Sequence, residues 1–134
     1  MAGDPHVGTW KLNPAKSKYN PGPPPKSFTV QIQAQDNSLK YVFAGVGAEG
    51  KTFHDEATSK FDGKDYPFMS SYANAIVSRR INANTVEFVT KKSGKEVSRW
   101  REVISKDGKT ITATEKGKDE KGKDFNRAEV FDKQ

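Results

Sequence analysis

The chain has 134 residues, a length that supports a single domain over residues 1–134 and excludes a multidomain enzyme. Hydrophobic residues make up 33% and charged residues 30%, but 8 Phe, 4 Tyr and 2 Trp argue against disorder because each aromatic side chain buries a large area. Val, Ile and Thr number 24 against 4 for Leu and Met together, which favours strands over a helical bundle. The lack of cysteine excludes disulfides, thiolate metal sites and a cysteine nucleophile.

The net charge of +6 allows a nucleic acid or another anionic surface as partner. However, 18 of the 23 basic residues are Lys, and they cluster in predicted turns and at strand ends. Lysine is strongly hydrated and suits the edges of strands, so this distribution favours a solvated surface over nucleic-acid binding. We expect a monomer with a small hydrophobic ligand, no nucleic-acid partner and no cofactor.

The N-terminal residues and the hydropathy of the chain are the features that predict its location in the cell. No apolar run approaches the 18 residues of a membrane-spanning helix, so membrane insertion is not expected. The first five residues have neither a basic start nor an apolar signal core. Two locations stay open: the cytoplasm, or the periplasm if Met1 replaces a removed export signal.

Alternating apolar and polar residues predict strands separated by turn signals. Between the first two lies a Pro-rich stretch, 13–26, which is interpreted as an ordered extended crossover, with a disordered linker as the alternative. The predicted strands cover residues 6–12, 27–35, 39–48, 51–61, 66–68, 74–81, 85–91, 95–105, 110–115 and 123–133.

Short turns between consecutive strands favour an antiparallel up-and-down meander. A meander of 8–10 strands without a covering helix closes into a β-barrel, because closure removes the strand edges. Gly8 and Trp10 lie in the first strand and Arg127 in the last, and closure makes those strands neighbours. We therefore predict that Trp10 stacks under Arg127 and seals one barrel end, with Gly8 giving room for the ring.

At this level the chain resembles the calycin superfamily, which comprises lipocalins and fatty-acid-binding proteins. The resemblance rests on residues 8–12 (GTWKL) at the start, residues 100–112 in the penultimate strands and residues 127–133 at the end. The chain also resembles small bacterial lipocalin-like proteins, which commonly carry export signals. It departs from the fatty-acid-binding family because the prolines of 13–26 leave no helical lid, and because Glu129 and Phe131 stand at the closing anion motif.

The resemblance implies a small lipophilic, fatty-acid-like anion bound inside the barrel, with Arg101 at the position of a carboxylate-contacting arginine. Arg99 shares the face of Arg101, and Arg79 could join them in a cationic cluster. The alternative is that this face points outward and pairs with Glu87 or Glu115 across strands. Five aromatic residues could line the apolar part of the cavity or simply pack in the core: Tyr41, Phe43, Phe53, Tyr66 and Phe68.

Two other functions stay open. A barrel filled with side chains would act as a structural or interaction module and hold no ligand. A small barrel enzyme of the cyclase or isomerase type would need one acid or base, for which His54 or a glutamate is the candidate. No catalytic triad spacing, metal-ligand pair or phosphate loop is present in the sequence.

Overall fold

A computed structural model describes residues 3–134 as an all-β, antiparallel, up-and-down barrel, which confirms the predicted fold class. A single turn of 3-10 helix lies at Pro14–Lys16. The strands are β1 (Gly8–Leu12), β2 (Lys18–Asn20), β3 (Ser27–Gln35), β4 (Ser38–Val46), β5 (Thr52–Ser59), β6 (Asp62–Met69), β7 (Ala75–Asn82), β8 (Thr85–Lys92), β9 (Lys95–Ile104), β10 (Thr110–Lys118) and β11 (Asp124–Lys133).

Ten strands form the closed wall, and β1 pairs with both β3 and β11 to complete it. The short strand β2 is an addition that continues along β11 past the end of β1, pairing Tyr19 with Arg127. The Pro-rich stretch is thus extended chain with a helical turn and one short strand. Because β3 pairs with β1 only up to Thr29, the first residues of β3 have no strand beside them on that side.

The core follows from the alternation of side chains across each strand, which sends every second residue into the barrel. The middle of the barrel is filled, because the side chains there have almost no surface that a water molecule could touch, from outside or from an internal void. These side chains are at most 2% exposed: Trp10, Ile32, Leu39, Tyr41, Ile76, Val86, Phe88, Thr90 and Ser98.

One barrel end is closed by the chain that precedes β1. His6 is fully buried there, and its backbone oxygen accepts a 2.9 Å hydrogen bond from Trp10 Nε1. Asp4 hydrogen-bonds the His6 ring at 3.1 Å and forms an ion pair with Arg80 of β7. Burial lowers the pKa of His6, since a charged imidazole would lose its hydration in this position.

The cation over Trp10 is Lys133, not Arg127 as predicted. Trp10 is in register with Lys133, whose Nζ lies 5.5 Å from the indole centroid. Gly8 has a φ of 146°, and a Cβ there would stand 3.1 Å from Lys133 Cε, so glycine provides room for this cation. Closure brings the expected strands together, but Arg127 lies six residues before Lys133 in β11, too far from Trp10 to contact its ring.

Candidate functional site

The three arginines predicted to hold a ligand point away from the interior. Arg101 is 53% exposed and pairs with Glu87 of β8 at 2.8 Å. Arg99 pairs with Glu87 and Glu96, and Arg79 is exposed on the same outer wall. The predicted inward orientation of this cluster is wrong, because β9 buries its other face, with Trp100 inside.

The predicted aromatic residues lie on the inner side of the wall. Phe43 contacts Tyr41, Phe68 and Trp100, with ring centroids 5.8 to 6.3 Å apart. Phe53 is half-buried, and Tyr66 is half-buried with its hydroxyl donating to Asp62. Phe43 thus packs against Tyr41 and Phe68, Phe53 packs on Phe28, and Tyr66 packs at the edge of the core. The role of all five as ligand contacts stays a prediction.

His54, the candidate acid or base, lies on the outer wall. Its side chain is 59% exposed, and Nε2 is 2.7 Å from Glu56 Oε2. Exposure places it outside any pocket and leaves its hydrogen bond in competition with water. The enzyme hypothesis required His54 to face a pocket, so a buried glutamate is what remains of it.

At the barrel end opposite the N-terminal plug the inner side chains are only partly buried, and an inward-facing arginine lies among them. Arg127 has 32% of its side chain exposed, and its guanidinium carbon lies 4.4 Å from the Phe125 ring centroid and 5.8 Å from that of Tyr19. Phe28 and Tyr72 are also only half-buried at this end. We call this group the Arg127 mouth: Tyr19, Phe28, Tyr72, Phe125 and Arg127.

Arg127 pairs with a carboxyl group through one of its guanidinium nitrogens. Its Nε lies 3.2 Å from Oε1 of Glu115, the one ion pair of Arg127 within residues 3–134. Burial raises the pKa of Glu115, while Arg127 opposes that rise. Because the ion pair uses Nε, the two terminal nitrogens keep donors in the forked geometry that suits a carboxylate or sulfonate.

Behind the mouth, two more carboxyl groups lie inside the wall. Glu102 and Glu129 both stand opposite Ala113 in the strand register, so a single small side chain separates them around the barrel. Each is 5% exposed. Burial raises the pKa of each to about 7, and the charge of Glu129 adds to the rise at Glu102.

Each buried carboxyl group has one hydrogen-bond donor. Trp100 Nε1 donates to Glu102 Oε2 at 3.0 Å, and the Tyr19 hydroxyl donates to Glu129 Oε2. The Tyr41 hydroxyl is close enough to Glu102 to affect its pKa, yet no well-aligned hydrogen bond joins them. Three buried polar atoms consequently lack a partner in the described chain, namely His6 Nε2, the Tyr41 hydroxyl and Glu102 Oε1.

Sequence reasoning missed Glu102, Glu115 and Glu129 as interior groups. The signal that could have found them is their alternation with core residues: Glu102 lies between Trp100 and Ile104, and Glu129 two residues before Phe131. Charged residues are almost never fully buried unless paired, which is why the composition favoured placing them outside.

Two depressions are present on the surface of the wall. One, of about 550 Å³, lies along β2, β10 and β11 and is lined by the exposed residues Lys18, Asn20, Thr114 and Asn126 together with the half-buried Tyr19, Arg127 and Ala128. A second, of about 370 Å³, contains the Arg99–Glu87 ion pair. Within residues 3–134, no group of three or more His, Asp or Glu side chains could hold a metal ion, and no helix has the length and apolarity to cross a membrane.

Comparison with known proteins identifies the fold. No protein-family model and no curated protein sequence matches the chain. A redesigned β-barrel, b11L5F_LGL, is 10% identical with a TM-score of 0.57, covering 97% of this chain and 92% of the other. A second redesigned barrel, mFAP1 bound to DFHBI, is 10% identical with a TM-score of 0.52, covering 96% and 95%.

A natural protein has the same fold. Zebrafish ileal bile acid-binding protein, complexed with cholic acid, is 11% identical to this chain with a TM-score of 0.57, covering 97% of this chain and 99% of the zebrafish protein. The chain therefore shares the β-barrel fold of that protein, in agreement with the calycin resemblance. At this identity the likeness concerns the fold alone.

Proposed function

We propose that this protein binds a small amphipathic anion at the Arg127 mouth, with the acid group on Arg127 and the apolar part against the surrounding rings. The observation that carries the proposal is a partly exposed, inward-facing arginine whose guanidinium lies between the Phe125 and Tyr19 rings. A lipophilic anion was expected from the resemblance, and Arg127 takes the role that was predicted for Arg101.

Apolar contact and charge would both contribute to the binding energy. Apolar burial supplies about 25 cal/mol per Å² before the costs of association, and the rims of Phe28, Tyr72 and Phe125 are partly open to water. A charge-assisted hydrogen bond from Arg127 adds roughly 1.5–3 kcal/mol. That a zebrafish barrel of this fold was complexed with cholic acid is consistent with such a ligand.

Fluorescence titration with anilinonaphthalene sulfonate tests the proposal, because this probe carries one acid group on an apolar ring system. We expect saturable binding by the wild type, and for Arg127→Gln an affinity that is lower by at least roughly tenfold. Arg101→Gln is the matched control, since it removes the same charge from the outer wall and leaves affinity unchanged. Hexadecanoate should displace the probe better than hexadecanol does.

Loss of Arg127 leaves Glu115 buried without its cation, so a second variant separates folding from binding. The double variant Arg127→Gln with Glu115→Gln removes both charges and keeps the hydrogen-bonding shape of the pair. Weak binding by a folded double variant supports the proposal. Equal probe affinity in wild type, Arg127→Gln and the double variant contradicts it.

A filled barrel that acts as an interaction module is the second candidate. It is favoured by the packed interior, in which the Phe88 and Trp100 rings stack with centroids 4.9 Å apart and a Phe43 edge faces Trp100. This candidate predicts no saturable probe binding to the wild type. The titration above therefore distinguishes the two functions.

A further inference from the structure

The Arg127 mouth and the buried carboxyl groups are joined through one side chain. The Tyr19 ring lies beside the Arg127 guanidinium, and the Tyr19 hydroxyl donates to Glu129. Glu129 is in turn close enough to Glu102 for the two charges to interact. A change in the charge of Glu129 therefore reaches the arginine both through space and through the position of Tyr19, and a change at Glu102 acts through Glu129.

We propose that anion binding at Arg127 is coupled to the uptake of a proton by the buried carboxyl pair Glu102 and Glu129. The inference rests on the proposed function, since it requires a ligand at the mouth. A bound anion brings negative charge towards Glu129, and like charges in a low-dielectric interior favour the neutral carboxyl group. By linkage, a bound anion raises the proton affinity of the pair by some factor, and protonation of the pair raises the affinity for the anion by that same factor.

The groups around Glu129 can offset the charge of a bound anion only if the pair takes up a proton. Glu129 faces Tyr19 of β2, Glu115 of β10 and Arg127 of its own strand. Among these only Arg127 is a cation, and it is already paired with Glu115. A ligand anion on Arg127 would add a negative charge near Glu129 that none of these groups offsets, so uptake of a proton by Glu129 would restore the balance.

Glu102 has no positive charge beside it in the part of the chain that the structure describes. It faces Trp100 of its own strand, Tyr41 of β4 and Glu129 of β11, none of which carries a positive charge. Arg80 lies beyond Tyr41 but is paired with Asp4, which also contacts His6. The orphaned Glu102 Oε1 suits a protonated carboxyl group, which can donate a hydrogen bond after a small rotation of either Glu102 or Tyr41.

The experiment measures affinity for anilinonaphthalene sulfonate between pH 5.5 and 8.5. A sulfonate stays ionised over this range, so any pH dependence belongs to the protein. For the wild type we expect affinity to fall about tenfold as the pH rises from 6 to 8. The double variant Glu102→Gln with Glu129→Gln should change less than about twofold over the same range, and Glu120→Gln, an exposed control, should follow the wild type.

Calorimetry in two buffers of different ionisation enthalpy gives an independent readout. Proton uptake makes the apparent binding enthalpy depend on the buffer for the wild type and not for the double glutamine variant. Binding that is independent of both pH and buffer overturns the coupling and leaves the proposed function intact. An absence of binding at every pH overturns both.

Discussion

The buried Glu102 carboxyl group makes a definite prediction for the pH dependence of folding. Its pKa is about 7 in the folded protein against an ordinary value of 4.5, because burial penalises the charged form. Below pH 4.5 the group is neutral in both states and costs nothing. As the pH rises from 4.5 to 7 the unfolded chain ionises first, so the free energy of unfolding falls.

The magnitude follows from the difference between the two pKa values. Each pKa unit corresponds to about 1.4 kcal/mol, so ionisation of this one group removes at most about 3 kcal/mol of stability by pH 8. Glutamine at this position cannot ionise and keeps an oxygen that accepts from Trp100 Nε1. Glu102→Gln should therefore match the wild type near pH 4 and be more stable by up to about 3 kcal/mol at pH 8.

Urea unfolding at pH 4, 6 and 8, followed by tryptophan fluorescence, measures this difference. Subtracting the wild type from the variant at each pH cancels the titrating groups that do not interact with Glu102, so the difference reports Glu102 together with its effect on Glu129. Glu120→Gln controls for loss of an exposed carboxylate. A constant difference from pH 4 to pH 8 would refute the reasoning, since it would mean that Glu102 titrates alike in the folded and unfolded chains.

Two further predictions concern the barrel wall and its plugged end. A Cβ at Gly45 would stand 2.1 Å from the Ser27 carbonyl oxygen, so Gly45→Ala should lower the free energy of unfolding by roughly 1–3 kcal/mol. Gly22→Ala, where the Cβ would have only a 3.6 Å contact, should cost far less. Urea unfolding of both variants measures this, and equal stability of the two would contradict it. Trp10→Phe removes the donor to the buried His6 carbonyl and should cost about 1–3 kcal/mol, measured through the remaining tryptophan; an unchanged unfolding midpoint would contradict it.

Much of the fold could be predicted from the sequence because it depends on local patterns. Alternation over residues 27–35 and 110–115, with turn signals between strands, indicates half-buried antiparallel strands wherever they are placed. Strand boundaries were less predictable: the strand predicted over 66–68 begins at Asp62, and the strand predicted over 110–115 continues to Lys118. The absence of a helical lid was also predictable, since the prolines of 21–25 exclude helices there.

The orientation of β9 could not be predicted in the same way. One of its faces carries Val97, Arg99, Arg101 and Val103, and the other carries Ser98, Trp100, Glu102 and Ile104, so both mix apolar and charged residues. The resemblance favoured Arg101 inside. The structure buries Trp100 instead, because its ring packs on Phe88 and its N–H finds a carboxyl group.

The chain by itself determined that strands form, that they follow one another as a meander and that they close, since alternation and turn chemistry act over a few residues. Tertiary structure alone decided which cation covers Trp10, which arginine faces inward and which glutamates are buried. Those outcomes depend on the register between β1 and β11 and on contacts between residues far apart in the chain. Neither can be inferred from the alternation of apolar and polar residues within one strand.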